Sequence, residues 1–142
     1  MIQTIPIEGT TFTDVRGEIK FFNTFDMKGI VRFYEISPSS TEIIRGWQGH
    51  KKEKKWFYCP IGAFVVNIVS ISDNKVPGSK LQPKRIVLDA RTPLILEVPQ
   101  GNATGFKALR EDSKLIVFSN FTLEESKNDD FRYPLETWNV QW

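Results

Sequence analysis

The sequence is poor in the residues that most metal and nucleophile chemistry uses: its 142 residues hold one histidine and one cysteine. A transition-metal site in a small β-fold draws on two or three imidazoles or thiolates, so a catalytic metal is not expected. Cys59 has no partner for a disulfide, and beside Phe57 and Tyr58 it reads as a buried free thiol, which fits a reducing compartment. No serine stands in a nucleophile-elbow context, and an apolar strand is a poor setting for a reactive thiolate. The net charge is only +2, whereas a nucleic-acid binder presents a sustained basic face. No stretch reaches the roughly 18 apolar residues of a membrane helix. The N-terminus lacks a basic region followed by an apolar run, so no signal peptide is read. These absences together predict a soluble, cytoplasmic protein that uses no cofactor and binds neither nucleic acid nor membrane.

What is present is strand-forming sequence. The length suits one domain over 1–142. Aromatic residues make up 13%, with four Trp and eleven Phe, and such side chains favour strands and a bulky core. Short apolar runs alternate with turn signals, as in a sandwich or barrel. Strands are expected over 30–36, 55–59, 63–71, 85–88, 94–98, 103–109 and 115–121. Pro60-Ile61-Gly62 reads as a turn and 73–82 as a loop. Both faces of the run from Ala63 to Ile71 are apolar, which predicts a strand covered on two sides. A helical apolar stripe is visible only weakly, in the tail. The acidic patch Glu124, Glu125, Asp129 and Asp130 reads as a solvated loop. An antiparallel set of this kind closes as a jelly roll whose interior offers a pocket, although the pattern alone leaves other sandwiches open.

Reactive side chains are densest in Arg45-Gly46-Trp47-Gln48-Gly49-His50-Lys51-Lys52. An imidazole near its free pKa of about 6.5 takes and returns protons at neutral pH, so His50 is the candidate acid-base group. Such chemistry needs a carbon acid, for instance a C–H beside a carbonyl. Arg45 and Lys55 would then hold phosphate or steady an enolate. The plainer alternative makes His50 a surface residue of a charged turn. Lys51, Lys52, Lys54 and Lys55 read likewise as a solvated edge or turn, or as amines that meet phosphate. Arg32 and Tyr34 alternate with Val31 and Phe33 and so share one strand face.

These residues resemble a known group, the cupins that isomerise nucleotide-linked keto sugars, above all the dTDP-4-dehydrorhamnose 3,5-epimerases. The likeness runs through Phe12-Thr13-Asp14-Val15-Arg16-Gly17, Ile44-Arg45-Gly46, Lys55 seven residues before Gly62, Val98-Pro99-Gln100-Gly101-Asn102-Ala103-Thr104-Gly105-Phe106 and the final Trp142. It implies an all-β, cupin-type jelly roll with little helix. It also implies that Arg16 contacts the nucleotide diphosphate, often across a dimer, that Arg45 is a second phosphate or sugar contact, and that Lys55 steadies the enolate. At the epimerases' base histidine this chain has Gln48. Their tyrosine falls near Phe118, their aspartate near Ser70, and a second histidine at Thr104. The sugar 3,4-ketoisomerases show an Arg-Gly-x-His-x-His-Lys stretch whose second histidine is matched by His50. Arg32-Phe33-Tyr34 and Asp130-Phe131-Arg132-Tyr133 also resemble segments of that branch. There His50 would shuttle the proton, Tyr34 act as acid and Gln48 bind substrate.

The resemblance implies a homodimeric isomerase or epimerase. Its substrate would be a nucleotide-linked, dTDP-linked 4-keto-6-deoxy sugar of surface polysaccharide synthesis. The expected catalytic residues are His50, Tyr34 and Lys55, and the substrate-binding residues Arg16, Arg32, Arg45 and Gln48, with no metal. The rival reading is a cupin that binds the sugar or nucleotide sugar without turning it over.

Overall fold

The computed structural model describes residues 4–71 and 83–142; the loop expected over 73–82 lies outside the described residues. The strands are β1 (Ile5–Glu8), β2 (Thr10–Asp14), β3 (Gly17–Phe21), β4 (Arg32–Ile36), β5 (Ile44–His50) and β6 (Lys55–Ile61). They continue with β7 (Ala63–Ser70), β8 (Lys84–Asp89), β9 (Leu94–Val98), β10 (Asn102–Ala108), β11 (Lys114–Ser119) and β12 (Phe131–Arg132), with one helix, α1 (Leu123–Lys127). Two five-stranded antiparallel sheets, in the orders β1-β9-β6-β11-β4 and β12-β5-β10-β7-β8, make the cupin-type jelly roll, and β2 and β3 form a separate hairpin.

One buried cluster joins the sheets. Phe57, Leu96, Leu115 and Val117 of the first meet Phe64, Val66, Ile68, Leu88 and Ala108 of the second. Side chains alternate along a strand, so each strand sends one row inward, and the rows share a gradient. On β4 the inward row runs Ile36, Tyr34, Arg32; on β11 Leu115, Val117, Ser119; on β6 Cys59, Phe57, Lys55; on β10 Ala108, Phe106, Thr104. One end of the sandwich is therefore an apolar core, where a fully buried Leu or Phe contributes about 2–3 kcal/mol. The other end is lined by polar groups.

β7 is buried on both faces. Its inner row enters the core, and its outer row is covered by the C-terminal segment: Val69 packs in a cluster with Trp47 and Trp138, and Asn67 Nδ2 donates to the Gln141 carbonyl at 2.9 Å. Glycines make this cover possible. A Cβ on Gly105 would stand 2.6 Å from the Trp142 ring, and one on Gly46 2.5 Å from Leu135 Cδ1.

Several expectations need correction. β6 runs through Pro60 to Ile61, and the turn centres on Gly62, at φ +80. Thr122 and Glu125 form a capping box that starts α1 in the stretch read as a solvated loop, and Asp129 there is 5% exposed. The tail holds a short 3-10 turn over Leu135–Thr137 rather than a helical stripe.

Candidate functional site

The polar end of the sandwich opens into a cavity of ≈ 610 Å³. β4 contributes Arg32 and Tyr34, β5 Arg45 and Gln48, and β6 Lys55 and Phe57, with Thr104 and Phe106 of β10 behind them. α1 and the segment after it close one side with Leu123, Ser126, Lys127, Asp130 and Arg132. Five cations thus face the space against one carboxylate on its wall, Asp130, which suits a polyanionic ligand. Arg45 and Lys127 are exposed, and among the described residues neither side chain makes a hydrogen bond or ion pair. They are therefore free to meet an anion.

A hydrogen-bonded chain crosses the cavity wall. Lys55 Nζ donates to Tyr34 Oη at 3.1 Å and to Gln48 Oε1 at 3.2 Å. Gln48 Nε2 donates to Asp130 Oδ1 at 3.1 Å, which also accepts from Arg132 Nε at 2.8 Å. Lys55 is 6% exposed, and its nearest partners are neutral. Burial, with a smaller push from the Arg32 charge, outweighs the pull of Glu53 and lowers the Lys55 amine to about 8. Burial likewise raises the Tyr34 phenol to about 12, against the pull of Arg32. The pair therefore joins an amine that titrates near 8 to a phenol that is still protonated there.

Behind this wall lies a second network, centred on Glu53 in the turn between β5 and β6. Its carboxylate accepts from Ser119 Oγ at 2.5 Å and Ser126 Oγ at 2.6 Å, and pairs with Arg32 Nη2 at 3.3 Å. His50 Nδ1 lies 3.3 Å from Glu53 Oε1 and 2.6 Å from the Asp129 carbonyl oxygen. A carbonyl oxygen only accepts, so Nδ1 carries the ring proton and Nε2 is left with a bare lone pair. Nε2 is buried without a hydrogen-bond partner. Burial and the Lys55 charge lower the imidazole below its ordinary value despite the opposing carbonyl and carboxylates, which favours the neutral ring. Burial would raise the Asp129 carboxyl, but the backbone amides of Glu53, Lys51 and Lys52 hold it low.

The structure thus brings Tyr34, Lys55, Arg32, Arg45 and Gln48 to one cavity and leaves two expected residues outside it. His50 is 5% exposed and is not part of the cavity wall. Its ring is neither a surface group nor turned to bulk water. Arg16 stands at the exposed tip of the β2–β3 hairpin, paired with Asp14 of the same hairpin at 2.5 Å. Phe118 is on the outer face of its sheet, against Phe25 and Phe33, while Val117 and Ser119 of β11 point inward. Thr104 is on the cavity wall, and Ser70 is buried at the end of β7. The lysine run divides: Lys51 and Lys52 are exposed and Lys55 is buried. Cys59 is a buried free thiol, pushed up to about 11 by burial.

Sequence reasoning passed over Glu53 and Lys127, and met Arg132 only as part of a tail segment, with no role for its side chain. Glu53 carried one usable signal, a single carboxylate inside a lysine run, three residues after the only histidine. Among the described residues, no three His, Cys, Asp or Glu side chains gather as a metal-holding group, and no helix is long and apolar enough to cross a membrane.

Solved structures share this fold. The Mycobacterium tuberculosis RmlC epimerase superposes with a TM-score of 0.79 at 18% identity, over 98% of this chain and 74% of that one. The sugar 3,4-ketoisomerase QdtA from Thermoanaerobacterium thermosaccharolyticum, in complex with TDP, gives 0.69 at 21% identity, over 94% and 90%. The dTDP-4-dehydrorhamnose 3,5-epimerase of Bacillus anthracis, with TDP and PPi bound, gives 0.73 at 20%, over 91% and 77%. These structures belong to the group the sequence resembles, and at such identities the likeness establishes the fold. No protein-family model matches the sequence, and no curated protein does.

Proposed function

We propose that the protein isomerises or epimerises a nucleotide-linked 4-keto-6-deoxy sugar, dTDP-linked as in the structural relatives, by proton transfer at carbon beside the carbonyl. One observation carries the reading: a cavity of ≈ 610 Å³ has unpaired cations at its mouth and a buried amine hydrogen-bonded to a phenol on its wall. A diphosphate supplies the negative charge that Arg45, Lys127 and Arg132 would take up. The sugar ring then lies toward Tyr34 and Lys55. Hydrogen-bond donors aimed at the carbonyl oxygen lower the cost of the enolate that forms when a neighbouring C–H is lost. Phe57 and Phe106 offer an apolar wall for the rest of the ring.

Homodimerisation belongs to the same proposal. The β2–β3 hairpin exposes Phe12, Val15 and Ile19, and a second copy seated there would bring Arg16 toward a neighbouring diphosphate. A cytoplasmic setting, where nucleotide sugars are made for surface polysaccharide, agrees with the unpaired Cys59. Incubation with dTDP-4-keto-6-deoxyglucose in D₂O tests the activity: deuterium should enter at carbon 3 or 5.

A second reading, binding without turnover, is favoured by the withdrawal of His50 from the cavity and by Gln48 and Thr104 at the histidine positions. Calorimetry with the same compound separates the two, since tight binding of a sugar that stays unlabelled supports the second.

A further inference from the structure

We infer that Lys55 is the base that moves hydrogen between carbons, that Tyr34 moves the accompanying hydroxyl proton, and that the reaction is therefore ketoisomerisation rather than epimerisation. This rests on the keto-sugar reading above.

The argument starts from access. A base must reach the proton it removes. His50 Nε2 is the one basic nitrogen of the imidazole that lacks a proton, and it is shut away from the cavity. Gln48 occupies the wall where the epimerases keep a histidine, and an amide does not titrate. Asp130 is tied to Gln48 and Arg132. Lys127 is exposed to solvent at the edge of the cavity, where it meets the diphosphate. Of the less exposed groups on the wall that exchange protons, Lys55 and Tyr34 remain, and they touch each other at 3.1 Å. Burial lowers the amine to about 8, so a neutral fraction exists at physiological pH.

Their contact decides the reaction type. Epimerisation takes a proton from one face of the sugar ring and returns one to the opposite face, so its base and acid must flank the ring. Two groups in hydrogen-bond contact serve a single face. That geometry suits a transfer between adjacent atoms. Lys55 takes the proton from carbon 3, and the C3–H electron pair becomes the C3–C4 double bond. The carbonyl π pair moves to oxygen 4, which accepts the Tyr34 proton. In the second half the tyrosinate removes the proton of the carbon 3 hydroxyl, a C=O forms at carbon 3, and the double-bond pair takes the Lys55 proton at carbon 4. Both side chains are regenerated, and no oxidant or reductant is consumed. Gln48 Oε1, the second acceptor of the ammonium, is a positioning group that keeps Nζ turned to the ring.

Lys55→Arg tests the assignment, because arginine keeps the charge but does not deprotonate. If Lys55 only steadied an enolate, the variant would remain active. Carbon 3 exchange and 3-keto product are to be followed with dTDP-4-keto-6-deoxyglucose in D₂O from pH 6 to 10, with dTDP affinity measured by calorimetry. The wild type should show rates that climb with pH to a plateau above about 8 and should make a 3-keto sugar without carbon 5 exchange. Lys55→Arg should lose at least about 100-fold in exchange while binding dTDP within a few-fold. Lys55→Ala should recover activity with added methylamine.

Lys55→Arg within ten-fold of wild type overturns the proposal, as does carbon 5 exchange with inversion, or a pH limb near the free imidazole value that His50→Gln abolishes. Nitrogen-15 NMR of lysine Nζ separates this failure from failure of the keto-sugar reading. A wild type that exchanges nothing removes the reading and the inference built on it. A midpoint near 8 that vanishes in Lys55→Arg would still report the basicity of the amine, whereas an active wild type with no such midpoint overturns the inference alone.

Discussion

Lys55 is 6% exposed and its amine faces a phenol and an amide rather than a carboxylate. That arrangement costs stability whenever the amine is charged. Its folded value of about 8 lies below the 10.5 of the unfolded chain, so between these limits the unfolded state holds more protons and stability rises with pH. The full span corresponds to about 3 kcal/mol. Lys55→Met carries no such penalty. The stability advantage of Lys55→Met over wild type in urea unfolding should therefore be largest below pH 8 and shrink by about 3 kcal/mol on passing to pH 10.5. A difference that does not change with pH would show that the amine is not desolvated. Glu53 behaves in the opposite sense. Its removal strands the Arg32 charge and two buried hydroxyls, so Glu53→Ala should destabilise by about 3 kcal/mol, read as a lowered urea midpoint; a loss below about 1 kcal/mol would mean that water replaces the carboxylate. At this scale the sequence was partly legible. The shared face of Arg32 and Tyr34 follows from alternation alone. The withdrawal of His50 does not, because it depends on Asp129, which is 79 residues away in the chain.

β4 and β6 to β11 were read within about two residues, since the two-residue period and branched side chains mark a half-buried face. The short β1, β2, β3 and β12 were not, and neither was β5. Its Gly46, Gln48, Gly49 and His50 have low strand preference, and the strand is held by pairing with β10 and β12. The glycines serve packing: a Cβ on Gly49 would stand 2.7 Å from Ile71 Cδ1. α1 was missed because five residues are too few to show a stripe, though Thr122-x-x-Glu125 is a capping signature. Phe118 shows how an offset of one residue moves a side chain to the opposite face of a sheet. The turn between β6 and β7 depends on Gly62, whose φ of +80 is strained for other residues and whose added Cβ would collide with Ser113 Oγ. Gly62→Ala should cost about 1–3 kcal/mol, seen as a fall in Tm; an unchanged Tm would mean that the turn relaxes freely.

In the whole molecule, fold and site arise from one gradient. The inward rows pass from apolar to polar along the sandwich, so the end that cannot form a dry core becomes a charged cavity. The fold class was legible because many short strands with few helical signals admit few architectures. The chemistry was less so, because the residues that line the cavity come from five strands, β4, β5, β6, β10 and β12, and from the segment around α1. The most direct test of the account is proton NMR of dTDP-4-keto-6-deoxyglucose incubated with the protein in D₂O. Loss of the carbon 3 proton signal, at a rate well above that of the protein-free control, is the result predicted. Full retention of that signal, with the nucleotide sugar bound, would contradict it.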